Sequence, residues 1–257
     1  MNDFSFNIQE DGLAFLTLNR HPVNALSQNF ISSLSELFDE ISLNSKIKIL
    51  IISSSLKHFC AGADLIERAN FSIDETEKVV SAISECFTML ECLPFPTISS
   101  IKGAVLGGGF ELVLCCDFRV AEDSSILGLP EASLGIIPGA GGTQRLPRLI
   151  GPSKAKYWIY SARKFSAEEA YIDGVVDFLS PDGEVLERAI DLANELMESA
   201  PLSLRASKYA ISKGGLLSLD AALEVEKDAY GMTLNSKDRA EGIKAFTQKR
   251  RPKWLGK

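Results

Sequence analysis

Histidine is scarce: the 257 residues hold only His21 and His58. A His-rich metal centre is thereby excluded. A Ser-His-Asp hydrolase would have to use one of these two, without the G-x-S-x-G elbow that carries the serine in such enzymes. Five cysteines are present, Cys60, Cys86, Cys92, Cys115 and Cys116, and no C-x-x-C pair occurs. That pattern indicates neither a disulfide framework nor a zinc site, so buried structural thiols are expected. No apolar run near the N-terminus approaches a membrane span. Residues 1–20 carry Asp3, Glu10 and Asp11 without a basic n-region, so no signal peptide and a cytoplasmic location are expected. An excess of positive charge is also lacking, since 27 Lys and Arg against 34 Asp and Glu leave −7. A general nucleic-acid binder needs the opposite balance.

What is present suits a folded α/β chain. Hydrophobic residues make up 46% and charged residues 24%, close to the average of soluble domains. The length suits one large domain, or one domain with a small appendage. The positive charge is concentrated. Residues 132–167 contain six basic side chains (Arg145, Arg148, Lys154, Lys156, Arg163, Lys164) and no acid, and the last nine residues add five more, Lys249 among them. Two readings stay open: a solvated face with a frayed tail, or local binding of an anionic small molecule.

Alternation and helical spacing outline the elements. Phe4–Ile8 and residues 13–18 read as a hairpin, and residues 26–42 as an amphipathic helix. Strands are expected at 47–52, 97–101, 118–121, 126–127 and 175–179. Helices are expected at 75–92, 110–116, 153–162 and 166–173, the last two opened by Ser153 and Ser166 as caps. From Glu184 to Gln248 the pattern is helical throughout, interrupted at Pro201 and Gly214-Gly215. The order predicts an α/β core over 1–195 and a helical C-terminal subdomain over 196–257. No exact internal repeat is visible.

Three small-residue segments stand out: Ala61-Gly62-Ala63-Asp64-Leu65, Gly107-Gly108-Gly109-Phe110-Glu111, and Pro138-Gly139-Ala140-Gly141-Gly142-Thr143. None is a phosphate-binding Walker loop, because no Gly-Lys-Ser/Thr follows. Glycines that open a helix present free backbone N–H groups and the positive end of the helix dipole, where an anion or a developing oxyanion can sit. A plain strand-to-helix turn accounts for the same residues, and Asp64 suits a helix cap. Two carboxylates, Glu111 and Glu131, lie beside apolar sequence. Burial there would raise their pKa toward the range needed for acid–base work; first-turn stabilisation by the helix dipole is the alternative.

Taken with Asn19-Arg20-His21-Pro22-Val23-Asn24-Ala25-Leu26 and Ile137 to Arg145, these segments resemble the enoyl-CoA hydratase/isomerase (crotonase) superfamily over nearly the whole chain. The resemblance implies a spiral of ββα units with a helical C-terminal trimerisation region, assembled as a trimer or a dimer of trimers. It implies an acyl-CoA thioester substrate, with coenzyme A entering as part of it, and no metal or other cofactor. The thioester carbonyl is expected between the N–H groups of Ala63 and Gly108. In a hydratase Glu111 would activate water at Cβ, Glu131 would protonate Cα, and Gly139 would help hold the water. The coenzyme A and substrate contacts implied are Lys57, Ala61 (through its carbonyl), Asp64, Leu65 and Lys249. Ile66 stands where the family often has lysine, with Arg68 as a substitute. The reaction expected is hydration of a 2-enoyl-CoA. The alternatives are a Δ3,Δ2-enoyl-CoA isomerase, a hydratase of the methylglutaconyl-CoA type, or a non-catalytic acyl-CoA-binding protein.

Overall fold

The computed structural model describes residues 3–257. Its first two strands, β1 (Phe4–Ile8) and β2 (Leu13–Leu18), form the expected antiparallel hairpin. Helix α1 (Gln28–Ser42) buries Phe30, Ile31, Leu34, Leu37, Phe38 and Ile41 on one face, and Ser27 caps it by accepting the Phe30 N–H. Strand β3 (Ile49–Ser54) is buried at every residue. It has parallel neighbours on both sides, which is why its sequence reads as a continuous apolar run rather than an alternation.

The rest of the α/β region repeats one pattern. After β3 come the short helix α2 (Leu65–Arg68) and the long helix α3 (Ile73–Glu91). Next are β4 (Thr97–Ile101), β5 (Ala104–Leu106) and α4 (Gly108–Val113). Then β6 (Phe118–Glu122) and β7 (Ile126–Gly128) lead into a 3₁₀ turn, Pro130–Leu134, and α5 (Gly142–Ile150). Helix α6 (Pro152–Ser161), β8 (Phe165–Ser166), α7 (Ala167–Asp173) and β9 (Phe178–Ser180) follow. The strands divide between a six-stranded sheet, β1-β2-β3-β4-β6-β9, and a three-stranded one, β5-β7-β8. A bridge at Cys60–Val105 extends the small sheet by one position.

Each unit thus runs up the large sheet, crosses to the small sheet, and leaves it into a helix or tight turn. Cys60 lies beside Val105, and Leu106 beside Gly128, all in parallel. The three exits that follow, at residues 61–65, 107–111 and 129–131, must therefore open side by side. The repeat is structural and leaves no trace as repeated sequence.

Some predicted bounds shift. Helix α4 opens at Gly108 and closes at Val113, not 110–116. Gly151 and Pro152 start α6, rather than a Ser153 cap, because proline fits the first helical position where no N–H is needed. The strand expected from Val175 is only Phe178–Ser180. Gly174 adopts a left-handed C-cap, and the N–H groups of Val175 and Val176 both bond Ala170 O, tying them to α7 instead of the sheet. Strands β5 and β8 are too short for alternation to reveal. Of the cysteines, Cys60, Cys86, Cys115 and Cys116 are buried, but Cys92 is exposed at the C-cap of α3.

Helix α8 (Val185–Met197) seals the outer face of the large sheet through Val185, Ala189, Leu192 and Ala193. It ends two residues past the expected boundary at 195. Helices α9 (Pro201–Gly214), α10 (Leu219–Leu234) and α11 (Lys237–Thr247) complete the chain and bury few residues of their own. Lys208 of α9 pins this region to the core, donating to Asp117 Oδ2 at 2.7 Å and to Phe95 O at 3.0 Å. Among the described residues no helix is long and apolar enough to cross a membrane.

Candidate active site

The exit after Cys60 is held by the N-terminal segment. Asn24, buried with φ +53°, donates from Nδ2 to Phe59 O and Ser54 Oγ, both at 2.8 Å. Ala61 N–H donates to Val23 O, Leu26 N–H to Gly62 O, and Asp64 N–H to Leu26 O. Gly62 has φ +93°, and a Cβ there would lie 2.8 Å from Leu106 O and 3.1 Å from Gly108 N. Only glycine lets the two exits approach this closely.

Gly107, with φ +53°, ends the second exit and caps α4, so Gly108 is the first residue of that helix. A Cβ on Gly108 would sit 3.8 Å from Ala63 N. Among the described residues no acceptor takes the N–H of Ala63 or of Gly108. Two unused donors therefore lie beside each other on the wall of a cleft of about 680 Å³.

Both glutamates line the same cleft. Glu111 is 3% exposed, and its Oε1 accepts the N–H groups of Ala140 and Gly142, each at 2.8 Å. Among the described residues its Oε2 has no donor. A Cβ on Gly142 would press on that carboxylate at 3.0 Å, which accounts for glycine there. Burial raises the Glu111 pKa, and the two N–H bonds and the Arg145 and Arg68 charges oppose the rise. Glu131 begins the 3₁₀ turn behind Pro130. Burial pushes it up to about 7, with the Glu111 charge adding to the shift. Among the described residues its buried Oε2 has no hydrogen-bond partner, and its Oε1 lies 3.0 Å from where a Cβ on Gly107 would be. One carboxylate is thus hydrogen-bonded in place, and the other is poised to hold a proton near neutrality.

The raised Glu131 pKa carries a stability signature. The neutral form is favoured in the fold, so the contribution is complete below the ordinary value of 4.5 and is lost as pH rises through about 7. Glu131→Gln is therefore expected to melt a few degrees above the unsubstituted protein at pH 8.5, on the order of 1 kcal/mol after allowing for partial solvent access. At pH 5 the difference should shrink toward zero. Equal melting shifts at both pH values would contradict the buried-carboxylate account.

A matching family model, described as enoyl-CoA hydratase/isomerase, covers residues 8–257. The chain belongs to the enoyl-CoA hydratase/isomerase family. It is 43% identical over 251 residues to the mitochondrial methylglutaconyl-CoA hydratase of Mus musculus, spanning 95% of this chain and 80% of that protein. It is 45% identical over 211 residues to the enoyl-CoA isomerase/hydratase fer4 of Mycosarcoma maydis, spanning 82% of this chain and 77% of that protein. The crystal structure of an enoyl-CoA hydratase from Bacillus anthracis superposes with a TM-score of 0.96 at 41% identity, covering 100% of both chains. The crotonase-like α/β spiral is thereby established.

Seven of the residues expected at a hydratase/isomerase site come together in this cleft: Ala61, Ala63, Leu65, Gly108, Glu111, Glu131 and Gly139. Asp64 does not line it. Its side chain caps α2, accepting the Glu67 N–H, and pairs with Arg20 at 2.9 Å. Lys57 and Lys249 are exposed and away from the cleft wall. Gly139 lines the cleft, but the N–H groups that reach Glu111 are those of Ala140 and Gly142.

Two features of the site lay outside the sequence reading, and a third, Arg68, entered it only as a substitute for the family lysine. Arg145 donates to Glu91 Oε2 at 2.8 and 3.0 Å and to Ala140 O at 2.9 Å, locking the loop that holds Glu111 to α3. Leu26 fills the space in front of Gly108. Arg68 lines the cleft together with Glu111 and Glu131. Of the six basic side chains over 132–167, three pair within the chain: Arg145, Lys154 and Arg163 with Glu91, Asp173 and Glu169.

Proposed function

We propose that the protein is an enoyl-CoA hydratase, adding water across the double bond of a 2-enoyl-CoA to give a 3-hydroxyacyl-CoA. The observation that carries this reading is the pairing of two buried carboxylates of unlike environment beside two unused N–H groups. Addition at Cβ drives charge onto the thioester oxygen, and the Ala63 and Gly108 N–H groups would receive it. One such donor is worth about 3 kcal/mol of barrier in comparable sites. Glu111, fixed through Oε1, has Oε2 available to accept a proton from water as its oxygen bonds Cβ. Glu131, protonated, gives its proton to Cα. The product has gained one water, and the proton on Glu111 returns to Glu131 directly or through solvent. Coenzyme A would be held by the Ala61 carbonyl and by Leu65 at the cleft, with Lys57 and Lys249 serving the phosphates, Lys249 in the assembled oligomer.

The test is loss of enoyl-thioester absorbance with crotonyl-CoA, beside a 3-enoyl-CoA of equal length. A hydratase consumes the first and yields a 3-hydroxyacyl-CoA. Conversion of the 3-enoyl isomer with no water added to crotonyl-CoA would establish the isomerase reading instead. Binding of both without conversion would leave an acyl-CoA-binding protein.

Self-association belongs to the same reading, with residues 196–257 as the associating subdomain. Leu216, Leu217, Leu219 and Leu223 are 72%, 49%, 74% and 49% exposed, so these apolar residues do not pack on the parent core. Light scattering is expected to give a trimer or a dimer of trimers; a 28.0 kDa particle at micromolar concentration would refute this.

A further inference from the structure

Arg145 stands in the first turn of α5, and its side chain folds back beneath the loop that precedes the helix. Its Nη1 donates to Ala140 O at 2.9 Å. Its Nε and Nη2 both donate to Glu91 Oε2 on α3, at 3.0 and 2.8 Å, and Nη2 also reaches Thr88 Oγ1 at 3.4 Å. Gly141 has φ +107°, and a Cβ there would overlap Arg145 Nη1. This course of the guanidinium is open only because residue 141 is glycine. Ala140, whose carbonyl the guanidinium holds, gives its own N–H to Glu111 Oε1 at 2.8 Å, and Gly142 gives a second N–H to the same oxygen at 2.8 Å. The ion pair is set with its cation inward: the Arg145 side chain is 15% exposed and that of Glu91 44%.

A plain staple between two elements needs only opposite charges, and lysine would serve. Here three N–H groups of one planar fork reach acceptors on two elements, which an ammonium point charge does not reproduce. The anion of the pair faces water, where its field is screened, and the cation stays on the inner side. The charged and titratable groups around Glu111 come from every element packed on it. Arg145 belongs to α5, Arg68 to α2 and Glu131 to the 3₁₀ turn. Cys115 of α4 is a neutral thiol, pushed well above its ordinary range by burial, and Glu91 of α3 acts on Arg145. Burial raises Glu111, and the three foremost influences against that rise all run through Arg145: the Gly142 and Ala140 N–H groups of its loop, and its own charge. Resting on the hydratase reading, we propose that Arg145 is a positioning residue for the reaction: anchored on α3, it fixes the loop that aims Glu111, and its positive charge gives Glu111, and not Glu131, the part of base. Arg145 is not among the residues lining the cleft, so it acts through the loop and the carboxylate rather than on the substrate.

Two measurements test this, one of turnover and one of stability. The acid limb of kcat/KM for crotonyl-CoA reports ionisation of the base in the free enzyme. Arg145→Met should lower kcat on the order of 10- to 100-fold with a smaller change in KM, as a slightly misplaced catalytic group does. Its acid limb should move to higher pH, because a charge that opposes the rise of Glu111 is gone. Arg145→Lys keeps the charge without the fork, so its acid limb should stay near that of the unsubstituted protein while kcat recovers only in part. The second measurement is a melting cycle of Arg145→Met with Glu111→Gln. With the cation removed, an ionised Glu111 is costlier to bury, so Glu111→Gln should raise the melting temperature at pH 8.5 more in Arg145→Met than in the unsubstituted protein. The excess should shrink at pH 5, as the glutamate takes up a proton. Equal losses of kcat and melting temperature in the methionine and lysine variants, with the acid limb unmoved, would reveal a staple only and overturn the proposal; full kcat in Arg145→Met would overturn it too. Coupling in the melting cycle without any hydration by the unsubstituted protein would keep the tie between Arg145 and Glu111 and remove the hydratase reading. Hydration without coupling would do the reverse. Should Arg145→Met fail to fold, Arg145→Gln, which retains a donor for Ala140 O but no charge, carries the same readings.

Discussion

Glu111→Gln and Glu131→Gln are each expected to lower kcat for crotonyl-CoA hydration on the order of 10²-fold or more. The two substitutions are close to isosteric and leave the architecture standing. In Glu111→Gln the amide oxygen can still accept the N–H groups of Ala140 and Gly142, now at 2.8 Å from Oε1. The side chain then stays in place and only the proton acceptor is lost. In Glu131→Gln the amide fills the space beside Gly107 without a proton to deliver. KM should move less than kcat, because the thioester and coenzyme A are held by backbone and remote contacts. The two losses should not add, since both groups act on one water in one event. Stopped assays on the two single variants and the double variant decide the matter. Full activity in Glu111→Gln with a dead Glu131→Gln would favour an isomerase, in which one acid carries the proton between Cα and Cγ.

Gly108→Pro should abolish turnover, and Gly108→Ala should not. Gly108 is the first residue of α4, a position where proline is tolerated because its N–H has no intrahelical partner. The ring replaces that N–H with a carbon at the point where the thioester oxygen would sit. One donor is lost and the space is filled, so a fall of 10³-fold or more is expected. Alanine keeps the N–H. Its Cβ meets Leu26 Cδ1 at 2.9 Å, the far end of a flexible side chain that can turn aside. The alanine variant should therefore retain most of kcat and lose some affinity. Circular dichroism and melting must accompany both assays. A folded proline variant with a near-normal rate would remove Gly108 from the oxyanion-binding role.

Much of the local structure was legible because its causes are local. Ser166 caps α7 with its side-chain oxygen as expected, and the apolar stripe of α1 buries as its spacing demands. Thr97–Ile101 forms a strand with no shift in bounds. Asp64 shows the limit of such reasoning. A cap and a ligand contact were both open to it, and its bonds to Glu67 N–H and Arg20 give it the cap. Val175 failed for a similar reason: its β-branched sequence favours a strand, but Ala170 O, reached through the Gly174 turn, captures its N–H.

By itself the sequence determined the alternation of strands and helices, the glycines that let backbone approach backbone, and which two glutamates sit among apolar neighbours. Tertiary structure alone decided how these meet. The parallel bridges Cys60–Val105 and Leu106–Gly128 align three exits whose residues are far apart in the chain. Register between distant strands depends on packing that no short stretch encodes. The rise of Glu131 to about 7 depends on water being excluded by residues from several elements. Arg68 lines the cleft while Arg20 and the Gln28 N–H hold Asp64 and Glu67, the acids of its own short helix and cap. Desolvation and pairing are properties of a neighbourhood, and the neighbourhood exists only once the spiral has closed.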